Sequence, residues 1–428
     1  MSSDTQLRVG IISTRISGTD GVSLEIEKWT TILERLGCEC FYICGRSDRP
    51  SDRTFLIELA DFSHPEIQAL DEEAFGRRTR TREFSERIRA LATPIKDELY
   101  ESLAKFKLDL LVVQNALAIP INIPLGAAIV EVLLETGLPC IAHHHDFFWE
   151  RQRYLVSAVD DYLRAAFPPP LAGIDHVVIN SMAGEEFSRR TGLAFHVVPN
   201  VMDFARPPAP PDEYAADFRQ SIGLSEDDIL ILQPTRVVER KGIEHTIELV
   251  RRLEDPRCKI VVSHNGRDEG TGYVRRIEEY AKLLNVDLIH ADSIVSSRRG
   301  TTEDGRKIYS IWDVYPHADL VAYPSTYEGF GNAFLEAVFF NKPIFCNRYA
   351  IYQTDIEPYG FYAIEMDGFL TDAVVSEVRR ALNDATYCEA KVRRNYEIGC
   401  QYFSYERLER ELRSLLEKPR LGPCAIVS

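Results

Sequence analysis

The chain alternates short apolar runs with amphipathic stretches, and this alternation constrains its fold more than any other feature. In the first half, six runs have the length and composition of buried strands: 8–13, 38–44, 109–113, 139–143, 175–179 and 195–198. After the first run, apolar residues recur every three or four positions from Val22 to Leu36, so they share one helix face that ends before Gly37. Continuous apolar strands separated by helices are typical of a parallel sheet covered on both faces.

The same alternation resumes after a cluster of prolines. Pro207, Pro208, Pro210 and Pro211 follow the last run, and such a cluster can continue neither a helix nor a central strand. We therefore place an interdomain linker here. Beyond it, five further runs are predicted to be strands: 229–233, 259–263, 286–290, 319–323 and 343–346.

The length of the chain agrees with two cores, because 428 residues exceed the size at which a single core stops growing. We predict an α/β fold of two Rossmann-like, doubly wound parallel-sheet domains, at residues 1–205 and 206–400, followed by a helix and tail at 401–428. In such folds ligands bind outside the carboxyl ends of the strands. Residues that directly follow a strand are therefore the candidates for function.

Charge and composition exclude several classes of protein. The formal net charge of −16 argues against a nucleic-acid-binding protein, which needs a basic surface. Residues 1–8 lack the features of a signal peptide, and polar residues and prolines interrupt the most apolar stretch, 110–134, so we expect no transmembrane segment. The nine cysteines include no Cys-x-x-Cys pair, and those at 38, 40 and 44 are predicted to be buried free thiols. We expect a cytoplasmic protein.

The segment 325–337 is the strongest candidate for a ligand site. It places Glu328 in a glycine-rich loop after a predicted strand and Glu336 on the helix that follows. Gly329 and Gly331 let backbone N–H groups face a ligand at the start of that helix, which favours an anion. Two carboxylates beside such a site suit the hydroxyls of a ribose and a hexose. Because the neighbours of Glu336 are apolar, we favour this function over an ordinary surface position.

Two basic residues follow the first strand of the second half. Arg236 and Lys241 precede Gly242, which begins the next helix. A diphosphate leaving group carries negative charge that must be neutralised as its bond breaks, and a guanidinium fork and an ammonium can do this. A solvated basic turn is the alternative, because Glu239 and Arg240 lie between the two residues.

A pair of glycines follows the first strand of the chain. The segment 17–23 puts Gly18 and Gly21 directly before a helix, where free N–H groups favour an anion. The segment does not have the G-x-G-x-x-G pattern of dinucleotide-binding proteins, and a plain tight turn explains it almost as well.

Three consecutive histidines, His143 to His145, precede Asp146 at the end of a predicted strand. Alternation along the strand sends His144 to the face opposite His143 and His145, which argues against a metal site. We expect instead a histidine that hydrogen-bonds a sugar. No Asp-x-Asp sequence occurs, so the metal clamp that many sugar transferases use is missing. We predict that the protein uses no metal and no other cofactor.

Six arginines lie between 77 and 89, with Glu83 and Glu86 among them. A solvated helix face explains such a stretch. The alternative is that some of these arginines, with Arg78 and Arg82 as candidates, meet an anionic acceptor or an anionic surface.

Together these segments resemble the retaining GT-B glycosyltransferases of family 4 over nearly the whole chain. Residues 328–336 are similar to that family's E-x7-E signature, Arg236 and Lys241 to its phosphate-binding pair, and 18–21 to its first glycine loop. The segment 199–203, Pro-Asn-Val-Met-Asp, resembles the family's P-N-x-x-D turn, although valine stands where glycine usually follows the asparagine.

The resemblance implies a role for each matched residue. Arg236 and Lys241 would hold the diphosphate of a nucleotide diphosphate sugar, Glu336 its ribose, and Glu328 the hydroxyls of the transferred sugar. The implied catalytic residues are His145, near the reacting face of the sugar, with Glu328, Arg236 and Lys241. The implied donor-binding residues are Gly18, Gly21, Arg236, Lys241, Glu328, Gly329, Phe330, Gly331, Asn332, Ala333 and Glu336. The acceptor-binding candidates are Asp146, Arg78 and Arg82.

The resemblance also implies retention of the anomeric configuration, with the acceptor attacking from the side of the leaving group and a phosphate oxygen taking its proton. It implies two domains that face each other across a cleft and a C-terminal helix that crosses back to the first. Residues 308–316, 347–349 and 365–368 resemble a subgroup of mannosylglucosylglycerate-synthase-like enzymes. That subgroup suits GDP-mannose or UDP-glucose as donor and a small anionic acceptor, such as a glycosylglycerate.

Three other functions stay open at this point: a glycoside hydrolase, a sugar phosphorylase and a nucleotide-sugar-binding protein without activity. A hydrolase needs two carboxylates that face each other across the scissile bond, whereas Glu328 and Glu336 come from one loop and its own helix. The expected partners are a nucleotide sugar and a small-molecule acceptor, without nucleic acid. Whether the chain forms a homodimer is open.

Overall fold

The computed structural model describes residues 6–18, 21–264, 272–296 and 298–418. The chain forms two compact units, of which the first comprises Met1–Asn200 and Leu408–Ser428 and the second comprises Val201–Arg407. The proline cluster at 207–211 belongs to the second unit. The domain limits given above stay a prediction.

The first unit is built on a seven-stranded sheet whose strands all pair in parallel. Its strands are β1 (Arg8–Ile12), β2 (Glu39–Cys44), β3 (Thr54–Leu56), β4 (Leu110–Gln114), β5 (Cys140–His144), β6 (Ile174–Val178) and β7 (His196–Val197). They pair in the order β3-β2-β1-β4-β5-β6-β7. The order reverses between β1 and β4, which is the switch point of a doubly wound sheet.

The helices of the first unit cover this sheet. They are α1 (Gly21–Arg35), α2 (Pro65–Ala74), α3 (Arg82–Phe106), α4 (Ile123–Thr136), α5 (Asp160–Ala166) and α6 (Ser181–Thr191). The predicted face of α1 is confirmed, because Ile26, Trp29 and Leu33 are buried. The core continues between the sheet and the helices α3 and α4, where Leu99 of α3 and Ile129 of α4 belong to one apolar cluster.

The second unit repeats the same plan with a six-stranded parallel sheet. Its strands are β8 (Ile229–Gln233), β9 (Cys258–Val262), β10 (Leu288–His290), β11 (Leu320–Tyr323), β12 (Ile344–Asn347) and β13 (Ile364–Met366). They pair in the order β10-β9-β8-β11-β12-β13. The switch point therefore lies between β8 and β11.

The remaining helices belong wholly or partly to the second unit. They are α7 (Phe218–Ser221), α8 (Ile243–Leu253), α9 (Gly272–Leu283), α10 (Ile311–Val314), α11 (Asn332–Phe339), α12 (Asp372–Asn383), α13 (Ala385–Tyr402) and α14 (Tyr405–Leu416). Two small sheets accompany the large ones, formed by Arg15–Ile16 with Arg46–Ser47 and by Val295–Ser296, Gly300–Thr301 and Lys307–Ser310. The division between the units falls inside α14, whose residues from Leu408 onward group with the first unit.

The structure confirms the two predicted Rossmann-like sheets. Each of the eleven predicted runs overlaps an observed strand, with limits that differ by one residue in most cases and by two in the run 286–290, which is shortened to Leu288–His290. The prediction missed Thr54–Leu56 and Ile364–Met366, which are three-residue strands at the edges of the sheets. The thiols of Cys38, Cys40 and Cys44 are buried and free, as predicted. In the part of the chain that the structure describes, no helix has the length and apolar character needed to span a bilayer.

Gly242, on the loop after β8, packs closely against Pro324, on the loop after β11. It has a φ of +60°, and a Cβ there would lie 2.5 Å from the carbonyl oxygen of Pro324. We expect Gly242→Ala to lower the free energy of unfolding by about 3 kcal/mol, because backbone strain adds to a clash with rigid backbone. Gly223→Ala is the control: Gly223 has a φ of +78° with no atom within 4 Å, so about 1 kcal/mol is expected. If urea denaturation showed an equal loss in the free energy of unfolding for the two variants, the close packing of Gly242 would be contradicted.

Candidate active site

The candidate residues of the second unit come together at its switch point. Arg236 and Lys241 lie on the loop after β8, and Glu328 lies on the loop after β11. These strands are hydrogen-bonded neighbours, with Ile231 opposite Leu320. Parallel neighbours end at the same edge of the sheet, so the two loops leave it side by side.

Backbone contacts join these loops directly. The amide of Thr326 donates a hydrogen bond of 2.8 Å to the carbonyl oxygen of Arg240. Below them, the buried side chain of Gln233, at the end of β8, donates to the carbonyl oxygen of Lys241 at 3.5 Å and accepts from the Thr246 hydroxyl of α8 at 2.7 Å. The loop after β8 is thereby fixed to both its strand and its helix.

Glu328 forms ion pairs with two adjacent cations. Its Oε1 contacts Nζ of Lys241, and its Oε2 accepts a hydrogen bond of 3.0 Å from Nη1 of Arg240. Lys241 and Glu328 are each 8% exposed, so the alternative of a solvated basic turn is wrong for Lys241. The ring of Tyr323, at the end of β11, lies 5.7 Å from the ammonium of Lys241.

Burial and charge act in opposite directions on Glu328. Burial raises the pKa of its carboxyl group, but attraction to Lys241 and Arg240 outweighs burial, so the pKa lies below its ordinary value. Burial also lowers the pKa of Lys241, and attraction to Glu328 offsets this only in part. The contact of Arg240 with Glu328 could not be predicted, because the turn that contains Arg240 has the composition of a solvated turn.

Glu336 occupies the open face of α11. The other side chains of this helix are almost all buried, whereas Asn332 and Glu336, four residues apart and on one face, are partly exposed. Oε2 of Glu336 accepts a hydrogen bond of 2.6 Å from the hydroxyl of Tyr315, a buried residue. Burial raises the pKa of Tyr315, and the nearby Glu336 carboxylate raises it further. Tyr315, which sequence reasoning missed, thus fixes one carboxylate oxygen of Glu336.

The glycine-rich loop before α11 is held by a second tyrosine. Tyr349, which follows β12, donates a hydrogen bond of 2.7 Å from its hydroxyl to the carbonyl oxygen of Phe330. Gly331 has a φ of +144°, and a Cβ there would lie 2.4 Å from that hydroxyl. The amides in the first turn of a helix, here from Asn332 onward, carry partial positive charge and favour an anion at the helix start. Gly329, Phe330 and Ala333 complete this segment.

His264 lies near the two cations Arg236 and Lys241 at this edge. It follows β9, next to β8 in the sheet, and Oγ of Ser263 lies 2.7 Å from its Nδ1. Burial lowers the pKa of His264, and the charges of Arg236 and Lys241 lower it further. Arg236 is partly buried, and its effect on the pKa of His264 shows that it lies near the same imidazole as Lys241. The structure thus brings Arg236, Lys241 and Glu328 to one edge of the second sheet, and Glu336 lies on the helix that follows the Glu328 loop.

In the first unit, the three histidines point to two faces, as predicted. His143 and His145 both contact Oε1 of Gln114, at 2.9 and 3.1 Å, whereas His144 lies 3.0 Å from His176. His143 also stacks on Trp29 of α1. Burial lowers the pKa of His143 and His144 well below the ordinary value. Within the described residues, no group of three or more His, Cys, Asp or Glu side chains could hold a metal ion.

Asp146 and Gly18 already have partners in the first unit. Asp146 accepts a hydrogen bond of 3.0 Å from Asn115 and forms an ion pair with Arg151. The amide of Gly18 donates to Oδ2 of Asp48 at 3.2 Å, and Gly21 begins α1. Thr19 and Asp20 of the predicted glycine loop lie outside the described residues. A carboxylate on the Gly18 amide works against an anion there, and the role of Gly18 and Gly21 stays a prediction.

Ion pairs occupy several members of the arginine stretch. Arg80 forms two hydrogen bonds of 2.6 Å with Asp161, and Arg82, the first residue of α3, pairs with Glu86 one turn later. Arg87 pairs with Glu73. Arg78 lies before α3 and is exposed. The stretch thus includes the first turns of a solvated helix, and a role for Arg78 or Arg82 in acceptor binding stays a prediction.

Comparison with known proteins identifies the relatives of the chain. No protein-family model matches it. Mannosylglucosylglycerate synthase of Petrotoga mobilis is 33% identical over 383 residues, which cover 84% of this chain and 86% of the relative. The enzyme of the same name from Thermotoga maritima is 30% identical over 437 aligned positions, which cover 94% of this chain and 98% of the relative.

Solved structures similar to the chain have the GT-B fold. A glycosyltransferase of Rickettsia africae matches with a TM-score of 0.67 at 12% identity, over 97% of this chain and all of that one. Anabaena HepE, in complex with UDP and glucose, matches with a TM-score of 0.64 at 15% identity, over 96% and 99%. At such identities the likeness establishes the fold alone. The identity and coverage of the two synthases go further: the chain belongs to the mannosylglucosylglycerate synthase family of glycosyltransferases.

Proposed function

We propose that the protein transfers a hexose from a nucleoside diphosphate sugar to a hydroxyl of a small anionic acceptor, with retention of configuration and without a metal ion. The observation that carries this proposal is the cluster of the buried residues Lys241 and Glu328 with the partly exposed Arg240, next to the helix start at Gly331. By the name of its relatives, the proposed acceptor is a glucosylglycerate and the transferred sugar is mannose.

The cluster supports a diphosphate leaving group. Lys241 is fixed in a buried position, where its charge is screened less by water than it is on a surface. Arg236 lies on the same loop and offers a planar set of donors. The amides from Gly331 to Ala333 add partial positive charge at the start of α11. In this proposal these groups balance the charge that develops on the departing diphosphate.

The two glutamates hold hydroxyl groups in the same proposal. Glu336 binds the ribose. Its hydrogen bond with the hydroxyl of Tyr315 fixes the orientation of the Glu336 carboxylate. Glu328 binds the hydroxyls of the transferred sugar. The contact of His145 with that sugar stays a prediction, and its ring is oriented by Gln114.

The ion pairs of Glu328 also favour a transferase over a glycoside hydrolase. A hydrolytic acid or nucleophile works as one of two carboxylates across a bond, whereas both oxygens of Glu328 contact cations. A phosphorylase would differ from the proposed transferase in requiring inorganic phosphate for activity. A nucleotide-sugar-binding protein without activity would show no turnover.

The first test is a donor screen. GDP-mannose and UDP-glucose are offered with glucosylglycerate or glycerate, and release of the nucleoside diphosphate is measured. We expect release that depends on the acceptor and a product whose anomeric configuration, read by NMR, matches that of the donor. Release that depends on inorganic phosphate, or none with any donor, would contradict the proposal.

Lys241→Ala tests the charge on the leaving group. We expect kcat/KM to fall by about 100- to 1,000-fold, as for other groups that stabilise charge in a transition state. Lys259→Ala is the matched control, because Lys259 also forms an ion pair with a carboxylate, Asp287, on the same sheet. The control should stay within about twofold of the wild type. A folded Lys241→Ala enzyme with normal kcat/KM excludes the role.

Tyr315→Phe tests the orientation of Glu336. Because a hydrogen bond to a charged group contributes about 1.5 kcal/mol or more, we expect KM for the donor to rise about tenfold. Since the bond is proposed to serve binding, kcat should change little. Tyr362→Phe removes a similar bond, to Glu377, and serves as the control. A loss of kcat with unchanged KM would argue against a ribose at Glu336.

Chelation tests the proposed independence from metal. We expect turnover in excess EDTA to equal turnover without it, because the positive charge comes from Arg236 and Lys241. Loss of turnover that is restored by added Mg²⁺ or Mn²⁺ would overturn this part of the proposal.

A further inference from the structure

The carboxylate of Glu328 has a different cation on each oxygen. Lys241 contacts Oε1, and Arg240 donates to Oε2 at 3.0 Å. Nη1 of Arg240 also lies 3.4 Å from the carbonyl oxygen of Tyr327, the residue before Glu328. One guanidinium therefore contacts both the side chain of Glu328 and the backbone of its loop.

The proposed function gives Lys241 a second anionic partner, and the following inference rests on that function. An ammonium is a compact point charge, so a strong contact with a diphosphate weakens its contact with Glu328. Glu328 is 8% exposed, and a carboxylate that is buried without a counter-ion takes up a proton. A protonated carboxyl group would bind the hydroxyls of a sugar less well, because it loses a charged acceptor.

We propose that Arg240 is a positioning residue that keeps the Glu328 carboxylate ionised and in place while Lys241 binds the diphosphate. Its side chain is 38% exposed, so its charge is kept at a smaller cost in desolvation than that of Lys241. The carbonyl oxygen of Arg240 accepts from the amide of Thr326, which fixes the backbone from which its side chain extends.

The other groups around Glu328 do not replace Arg240. Tyr323, at the end of β11, and Tyr349, after β12, are buried neutral hydroxyls, and burial, followed by the charge of Glu328, raises the pKa of each. The charges of Lys241 and Arg240 lower the pKa of Glu328, and a hydrogen bond with the neutral side chain of Ser325 also lowers it but adds no charge. With Lys241 engaged elsewhere, Arg240 supplies the charge that remains at the carboxylate.

The first experiment needs no substrate. Lys241→Met removes the competing cation, and ¹³C NMR of labelled glutamate follows Glu328, whose signal is assigned with Glu328→Gln. We expect Glu328 to stay ionised at pH 7 in Lys241→Met, and its pKa to rise by at least about one unit when Arg240→Gln is added. Circular dichroism confirms that each variant is folded. An equal pKa of Glu328 in Lys241→Met and in the double variant Lys241→Met, Arg240→Gln would overturn the proposal.

The second experiment uses turnover. The folded pKa of Glu328 is depressed, so activity that needs its charge is lost as pH falls through that pKa. Arg240→Gln raises the pKa, and we expect the acid limb of kcat/KM to move up by about one pH unit, with Arg240→Lys restoring most of the shift. Arg252→Gln is the matched control, because Arg252 also contacts one carboxylate, Asp372, and one carbonyl oxygen, that of Leu370.

The two experiments separate the two proposals. An acid limb that does not move in Arg240→Gln, or that moves equally in Arg252→Gln, overturns the role of Arg240. If the wild type transfers no sugar, the proposed function fails, and the NMR titration alone decides whether Arg240 keeps Glu328 ionised.

Discussion

The candidate site depends on the cost of burying the carboxylate of Glu328. A carboxylate in such a place is retained as an ion only with counter-ions close to it. Here the counter-ions come from a loop far away in sequence, because Lys241 and Arg240 follow β8 whereas Glu328 follows β11. The ion pairs therefore hold two loops in one arrangement, and the start of α11 is placed with them.

Strand order makes this arrangement available. The chain leaves β8 toward β9 on one side, and β11 pairs with β8 on the other side, so the loops after β8 and β11 lie next to each other at the switch point. Apolar packing then limits what the site can present. Residues such as Phe334 and Leu335 anchor α11, and its partly exposed face is left to Asn332 and Glu336. The position of Glu336 is thus a consequence of the core beneath it.

The sequence was sufficient to predict the two sheets, because periodicity identifies strands. It also selected Arg236, Lys241, Glu328 and Glu336, because functional residues follow the carboxyl ends of strands. Of these four, the structure joins Lys241 with Glu328, and their roles stay predictions. The sequence could not predict Arg240 or Tyr315 as partners. Those contacts join residues 88 and 21 positions apart, and local patterns carry no information about which side chains meet over such separations. The edge strand Thr54–Leu56 was missed for a related reason, because three residues are too few to show a period.

The two units differ in the charge that they offer at their switch points. In the second unit, Arg236 and Lys241 supply positive charge beside a helix start. In the first unit, the amide of Gly18 contacts the carboxylate of Asp48, and the buried histidines carry no charge at neutral pH, since burial lowers the pKa of His176, the partner of His144, to about 4. This difference in charge supports the proposal that the diphosphate binds at the second unit.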